Sequence, residues 1–245
     1  MLERLRRLAR PLTAAADAAG RAVADLDTEA AARATMVERQ LRGRGIRDEA
    51  VLAAILAVPR EAFVRPDLRS SAHDDDALPI EAGQTISQPW IVARMTELLG
   101  VRPGAGDRVL DIGTGSGYQA AVLAELECHV VSIERHASLA ESARARLERL
   151  GYGDRVAVRV GDGSVGDPGG APWRGIVVAA AAPAVPEDLR EQLAPDGGRL
   201  VLPVGTRDRQ ELVLIVREGD RFVETRHGAV VFVPLIGAGG FPEIG

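Results

Sequence analysis

Apolar positions along this chain repeat with two different periods. In "RDEAVLAAILAVP", Val51, Leu52, Ile55 and Leu56 recur at helical spacing. Asp48 stands where an N-cap belongs, and Pro59 stops the run. "HDDDALPIEAGQTIS" carries no such period and is expected to be loop. A second helix is expected over Pro89–Leu99, with proline in its first turn. Short apolar runs then take over: Arg108–Ile112, His129–Ile133, Val156–Val160 and Gly175–Ala180 predict strands. Helical stretches at Tyr118–Leu126, Ser138–Leu150 and Pro186–Leu193 separate most of them. After "GGRLVLPVG" the helices stop, and "QELVLIVREGDRFVETRHGAVVFVPL" predicts strands that turn at Glu218–Asp220. The alternation is that of an α/β protein with a doubly wound, mostly parallel sheet, helices on both faces and an antiparallel C-terminal edge. There is no internal repeat.

Residues 1–34 break the pattern, being mostly alanine, arginine and leucine. Leu2, Leu5 and Leu8 lie beside Arg4, Arg6, Arg7 and Arg10, as in a basic amphipathic helix that touches a membrane or a partner. A frayed tail or a short helix packed on the domain fits the same residues. Asp17 and Arg21 interrupt any signal-peptide core, and no stretch is long and apolar enough to span a bilayer. The division expected is an extension at 1–34 and one domain at 35–245. Residues 1–34 precede every motif below, so they are expected to be dispensable for catalysis.

Composition narrows the chemistry. The formal charge of −5 disfavours sequence-independent nucleic-acid binding. Cys128 is the single cysteine, which excludes a disulfide framework and a thiolate metal site and points to the cytoplasm. The chain has no lysine, so neither a Schiff-base lysine nor a P-loop lysine is available.

"VLDIGTGSGYQAAVLA" (Val109–Ala124) lies between an expected strand and an expected helix. Open α/β sheets bind ligands there, beyond the carboxyl ends of their strands. A dinucleotide fingerprint would need glycine at 118, which is Tyr118. What remains is D-x-G-x-G-x-G, which resembles the first motif of S-adenosylmethionine methyltransferases. It implies a cofactor site at Asp111, Gly113, Thr114, Gly115 and Gly117. That ligand has no phosphate and carries a sulfonium and an amino group, so an acid near the glycines makes electrostatic sense. Glu134, twenty-one residues after Gly113, ends the second strand and can accept from both ribose hydroxyls or cap the next helix. In "GDG" after the third strand, Asp162 can accept from an adenine amino group and Gly163 leaves room for the ring, unless the segment is an ordinary turn.

These motifs, together with "MVERQLRGRGIRDEAVL", "VPREAFV", "LPIEAGQTISQPWIVARM", "SIER", "AAAAPAVPEDLREQLAPDGGRLVLPVG", "QELVLI" and "VFVPL", resemble the protein-L-isoaspartate O-methyltransferase family from about Met36 to Phe241. "GQTISQP" is the most specific, because general methyltransferases of this fold lack it. The resemblance implies methyl transfer from S-adenosylmethionine to the free carboxylate of isoaspartyl residues in damaged proteins or peptides. It makes Ser87 the active-site residue that orients the carboxylate. Thr85 and Ile86 would line the same opening. Ser87 also suits the N-cap of the helix at Pro89, whose free N–H groups would receive the carboxylate.

No metal is expected. His73, His129, His136 and His227 show no ligand spacing, and His73–Asp76 reads as a solvated acidic loop. No stable membrane association is expected, and the chain is expected to be a monomer. Two positions depart from the family: Trp173–Arg174 replaces an aromatic–aspartate pair, and Trp90 replaces tyrosine or histidine. Two other readings share the fold: methylation of aspartate in one maturing peptide, and a non-catalytic S-adenosylmethionine-binding interaction protein.

Overall fold

The computed structural model describes residues 28–243. Helical residues 28–36 (α1) pass into a π-turn at Val37–Leu41 and then α2 at Glu49–Ala57. Asp48 caps α2 as expected, its side chain accepting from the N–H groups of Ala50 and Val51. A two-stranded antiparallel ribbon follows, β1 (Leu78–Pro79) against β2 (Thr85–Ile86). It delivers the chain to α3 at Pro89–Leu99.

The main sheet has the order β5-β4-β3-β6-β7-β8-β9. Its strands are β3 (Arg108–Ile112), β4 (His129–Glu134), β5 (Val156–Val160), β6 (Gly175–Val178), β7 (Asp196–Gly205), β8 (Gln210–Glu218) and β9 (Arg221–Val230). The first five in that order are parallel, and the β7–β8 and β8–β9 pairs are antiparallel. Helices α4 (Tyr118–Glu125), α5 (Ala137–Arg149) and α6 (Glu187–Glu191) connect them. β3 pairs with β4 on one side and β6 on the other, so the strand order reverses beside β3. That switch point leaves a crevice beyond the strands' carboxyl ends.

Alternate strand residues feed two cores. Val109, Val130, Val177 and Val201 pack with α2, α3, α4 and α5, while Leu110, Ile176, Val178 and Leu200 pack with Leu189 of α6 and Trp173. Helices thus lie on both faces, with α6 the one helix on the second face among the described residues. Trp173 fills that second core under the Arg108 guanidinium, and Arg174 donates to the Asp196 carbonyl. Both precede β6 and stand at the end of the sheet away from the crevice, so this departure from the family pattern alters packing and leaves the crevice untouched.

Helical residues 28–36 run through the division expected at 34/35. Arg33 donates two 3.0 Å hydrogen bonds to Glu61, and both side chains are largely buried. His73 sits between Glu29 and Glu61 at 3.4 and 3.3 Å. The loop expected to be solvated is therefore partly an internal joint: His73 is buried and Asp75 half-buried, while Asp74 and Asp76 are exposed. Glu29, Glu61 and His73 bring ligand-type atoms within 4.8 Å of one another. Arg33 and Arg69 already neutralise the two carboxylates, which makes the cluster an ion-pair network. The basic helix expected around Leu2, Leu5 and Leu8 lies outside the described residues. No helix among the described residues is long and apolar enough to cross a membrane.

Candidate active site

A cleft of about 290 Å³ opens at the switch point. Of the expected residues, Thr85, Ile86, Ser87, Gly113, Thr114, Gly115, Glu134 and Gly163 line it, and Asp111, Gly117 and Asp162 do not.

The glycine loop turns because Gly113, Gly115 and Gly117 hold φ values of +90°, +53° and +91°. These are left-handed values at which a Cβ is strained. Gly113 and Gly115 face the cleft, whereas Gly117 starts α4 and packs on Leu147. Gly163 is needed for space: a Cβ there would stand 2.4 Å from Ile112 Cγ2.

Glu134 is nearly buried, and its carboxylate holds the loop. Oε2 accepts from the Gly115 N–H at 2.9 Å and Oε1 from the His136 N–H at 3.0 Å. The carboxylate is thus a buried acceptor for the loop and for the chain entering α5, not a surface cap of that helix. Each oxygen keeps a second lone pair, and the residue lines the cleft.

Asp111 lies beneath the loop. Its cross-strand neighbour Ser132 donates to Oδ2 at 2.7 Å. With that proton committed, the Thr114 hydroxyl donates to Ser132 Oγ across 2.6 Å. Oδ1 is buried without a partner. Burial pushes this carboxyl up to about 7, the Ser132 bond opposes the rise, and the Glu134 charge adds to it. A buried acid under the loop, one oxygen of it without a partner and with Glu134 beside it, suits a cationic ligand without phosphate. The cleft thus fits the S-adenosylmethionine expected from the sequence.

Asp162 lies outside the cleft lining. Its Oδ1 accepts from the N–H and hydroxyl of Ser164, and its Oδ2 from the Ala238 N–H. Burial works against ionisation, but the Ser164 and Ala238 bonds outweigh it and hold the carboxyl below its usual value. Asp162 therefore ties the chain near 238 to the turn after β5.

Ser87 differs in part from its expectation. Gln88 is the N-cap position of α3 and makes no side-chain cap. Asp75 Oδ1 accepts the Trp90 N–H at 3.2 Å, Pro89 has no N–H, and the Ile91 N–H bonds the Gln88 carbonyl. The helix start thus has no unpaired N–H in its first three residues for a substrate carboxylate. Ser87 lines the cleft, and its hydroxyl makes no hydrogen bond among the described residues. Its carbonyl accepts from Arg60 Nη2 at 2.8 Å. Trp90 stacks against Arg44 outside the cleft lining, and Arg44 pairs with Asp75.

Sequence reasoning missed a wall of the cleft, Val233, Pro234, Leu235 and Ile236. It is fixed by bonds from the Ala181 N–H to the Val233 carbonyl and from the Leu235 N–H to the Ala181 carbonyl. "VFVPL" carries part of it without any chemical signature. Tyr118 was missed too; it lines the cleft with Arg60 stacked on its ring.

Known proteins share this sequence pattern and fold. The sequence profile described as protein-L-isoaspartate(D-aspartate) O-methyltransferase matches residues 32–239. A protein-L-isoaspartate O-methyltransferase of Methylorubrum extorquens is 55% identical over 208 residues, spanning 84% of this chain and 89% of the relative. One from Methanoregula boonei is 53% identical over 209 residues, spanning 85% and 94%. A solved protein-L-isoaspartate O-methyltransferase superimposes with a TM-score of 0.75 at 31% identity, covering 85% of this chain and 67% of the other. A Plasmodium falciparum structure, described as a putative protein-L-isoaspartate O-methyltransferase in complex with S-adenosyl-L-homocysteine, gives 0.72 at 25% identity, covering 83% and 98%. The chain belongs to the protein-L-isoaspartate(D-aspartate) O-methyltransferase family.

Proposed function

We propose that this chain methylates the free carboxylate of L-isoaspartyl residues at the cleft between Ser87 and the glycine loop. The observation that carries the reading is one continuous cleft with an unbonded serine hydroxyl and a glycine-lined acidic pocket on its walls.

The reaction asks little acid–base work of the protein. An isoaspartyl carboxylate has a pKa near about 4 and is ionised at neutral pH. S-adenosylmethionine, held by Gly113, Thr114, Gly115, Glu134 and Gly163, supplies an electrophilic methyl group on a sulfonium. The carboxylate oxygen forms the new bond to that methyl, and the methyl–sulfur bond breaks with its electron pair left on sulfur. Ser87 donates its hydroxyl to the other carboxylate oxygen and aligns the attack, which is mainly a matter of positioning. Thr85 and Ile86 form the rim past which the peptide enters. The ester then closes to a succinimide as the next backbone nitrogen expels methanol, and hydrolysis of the ring returns some normal aspartate.

The reading extends to a monomer working in the cytoplasm. The free edge strand β9 carries Arg221, Glu224 and Arg226, charges that oppose strand-to-strand association. Cys128 is a free, buried thiol with no disulfide, which suits a reducing compartment.

Paired peptides that differ only in aspartate versus isoaspartate, assayed with labelled S-adenosylmethionine, test the proposal. Label on the isoaspartyl peptide alone supports it. Label on the aspartyl peptide indicates the maturation reading, and binding without transfer indicates the non-catalytic one.

A further inference from the structure

Arg60 is the most deeply buried arginine among the described residues, and it has no carboxylate partner. It is 0% exposed. Its Nε donates to the Ala72 carbonyl at 2.8 Å and its Nη2 to the Ser87 carbonyl at 2.8 Å. Nη1 has no hydrogen-bond partner, and the guanidinium lies 4.8 Å over the ring of Tyr118, a residue of the cleft wall. Glu61, next in sequence, is engaged by Arg33 and His73. Burial lowers the pKa of Arg60, but arginine starts too high to lose its proton.

A buried charge without a counter-ion is strongly disfavoured unless something compensates it. The residue it grips is the one that meets the substrate carboxylate in the proposed function, and the α3 start has its first N–H groups taken. We propose that Arg60 is a positioning residue that draws the substrate carboxylate to Ser87: its charge attracts the anion, and its bond to the Ser87 carbonyl fixes where the hydroxyl waits. This rests on the proposed role of Ser87.

The charge effect belongs to binding. Methyl transfer converts a carboxylate and a sulfonium into a neutral ester and a neutral thioether. A fixed cation therefore stabilises the bound substrate more than the transition state, and its loss raises KM more than it lowers kcat.

The test compares Arg60→Gln, which removes the charge, with Arg60→Lys, which keeps it. Melting temperature and S-adenosylmethionine affinity serve as controls. The expected result for Arg60→Gln is a KM for isoaspartyl peptide raised on the order of tenfold, from a Coulomb interaction in a partly shielded site. Its kcat should stay within about threefold, and Arg60→Lys should recover most of the KM. A second reading uses S-adenosylhomocysteine in place of the methyl donor. It compares binding of the isoaspartyl peptide with that of the peptide whose side-chain carboxylate is a carboxamide. Wild type should prefer the carboxylate, and Arg60→Gln should lose most of that preference. A fall in kcat with KM unchanged, an unaltered carboxylate preference, or a lysine variant no better than glutamine would each overturn the proposal. Should Arg60→Gln not fold, a tenfold rise of KM in folded Arg60→Lys overturns it and a KM near wild type supports it. Failure of the paired-peptide assay removes the substrate reading itself. An unchanged carboxylate preference with turnover intact removes only the role of Arg60.

Discussion

Replacing Glu134 by glutamine, nominally a mild change, should damage the cofactor site as much as replacing it by alanine. The carboxylate accepts one backbone N–H on each oxygen, from Gly115 and from His136. An amide must aim its NH2 group at one of those N–H groups, and flipping it only moves the conflict to the other. The Gly115 bond shapes the loop, so a donor facing a donor there pushes the loop away from its binding geometry. In the proposed site the ribose hydroxyls would also lose a charged acceptor. A hydrogen bond to a charged group contributes about 1.5–3 kcal/mol, so S-adenosylmethionine should bind roughly 10- to 100-fold more weakly. Alanine leaves both N–H groups open to water, and its affinity should be no lower than that of glutamine. Calorimetric titration of both variants, with circular dichroism and melting curves to establish folding, reads these numbers directly. A folded Glu134→Gln protein with wild-type affinity would refute the assignment. A glutamine variant much tighter than alanine would refute the argument from the two backbone bonds.

Ser87→Ala should lower turnover sharply and change S-adenosylmethionine affinity little; since Ser87 does not cap α3, its melting temperature should stay near wild type, and undiminished turnover per folded molecule would reject Ser87 as the orienting group. Asp111, with its carboxyl near pH 7, should make S-adenosylmethionine bind more tightly as pH rises through neutrality and release a proton on binding, because a cation favours the ionised form; titration in buffers of different ionisation enthalpy measures that proton, and Asp111→Asn should abolish it. A chain starting at Thr35 loses Glu29 and Arg33 and leaves Glu61 with His73 alone, a loss of about 3 kcal/mol for a buried pair broken on one side; melting curves should show a loss no larger in Arg33→Ala, and an undiminished melting temperature would restore the expectation that this boundary is harmless. The same network sets an acid limit: burial alone would raise Glu61, but His73, a backbone bond and Arg33 bring it to about 2, so its contribution is full above the ordinary carboxylate value and fades as pH falls toward 2.

Local chemistry was legible in the sequence where one segment decides it. β3 and β5 begin and end where the apolar runs do, α3 spans its expected residues, and Asp48 caps α2. The glycine loop and Glu134 were legible because a strand end and a left-handed turn have their own residue requirements. Contacts between distant segments left no such mark. The Trp90 N–H is satisfied by Asp75, 15 residues earlier, which removes Ser87 from the cap position that its place before Pro89 suggested. Arg33 finds Glu61 across 28 residues and Arg60 finds Ser87 across 27. The bond from the Ala238 N–H to Asp162 spans 76 residues and had no mark in the sequence either. Thr114 was placed correctly as a loop residue, but its hydroxyl points to Ser132, below the ligand surface.

A carboxyl with a pKa near 7 beside a cleft ordinarily marks a general acid or base. Asp111 meets that description and is neither. It does not line the cleft, and its one bonded oxygen is committed to Ser132. The substrate carboxylate arrives without a proton, so no base is called for. The shift comes chiefly from burial beneath the glycine loop. The groups proposed to meet the substrate, the Ser87 hydroxyl and the charge of Arg60 behind it, do not titrate in the neutral range. The pH dependence of the enzyme near neutrality should therefore appear in the KM for S-adenosylmethionine, while kcat at saturation stays nearly flat.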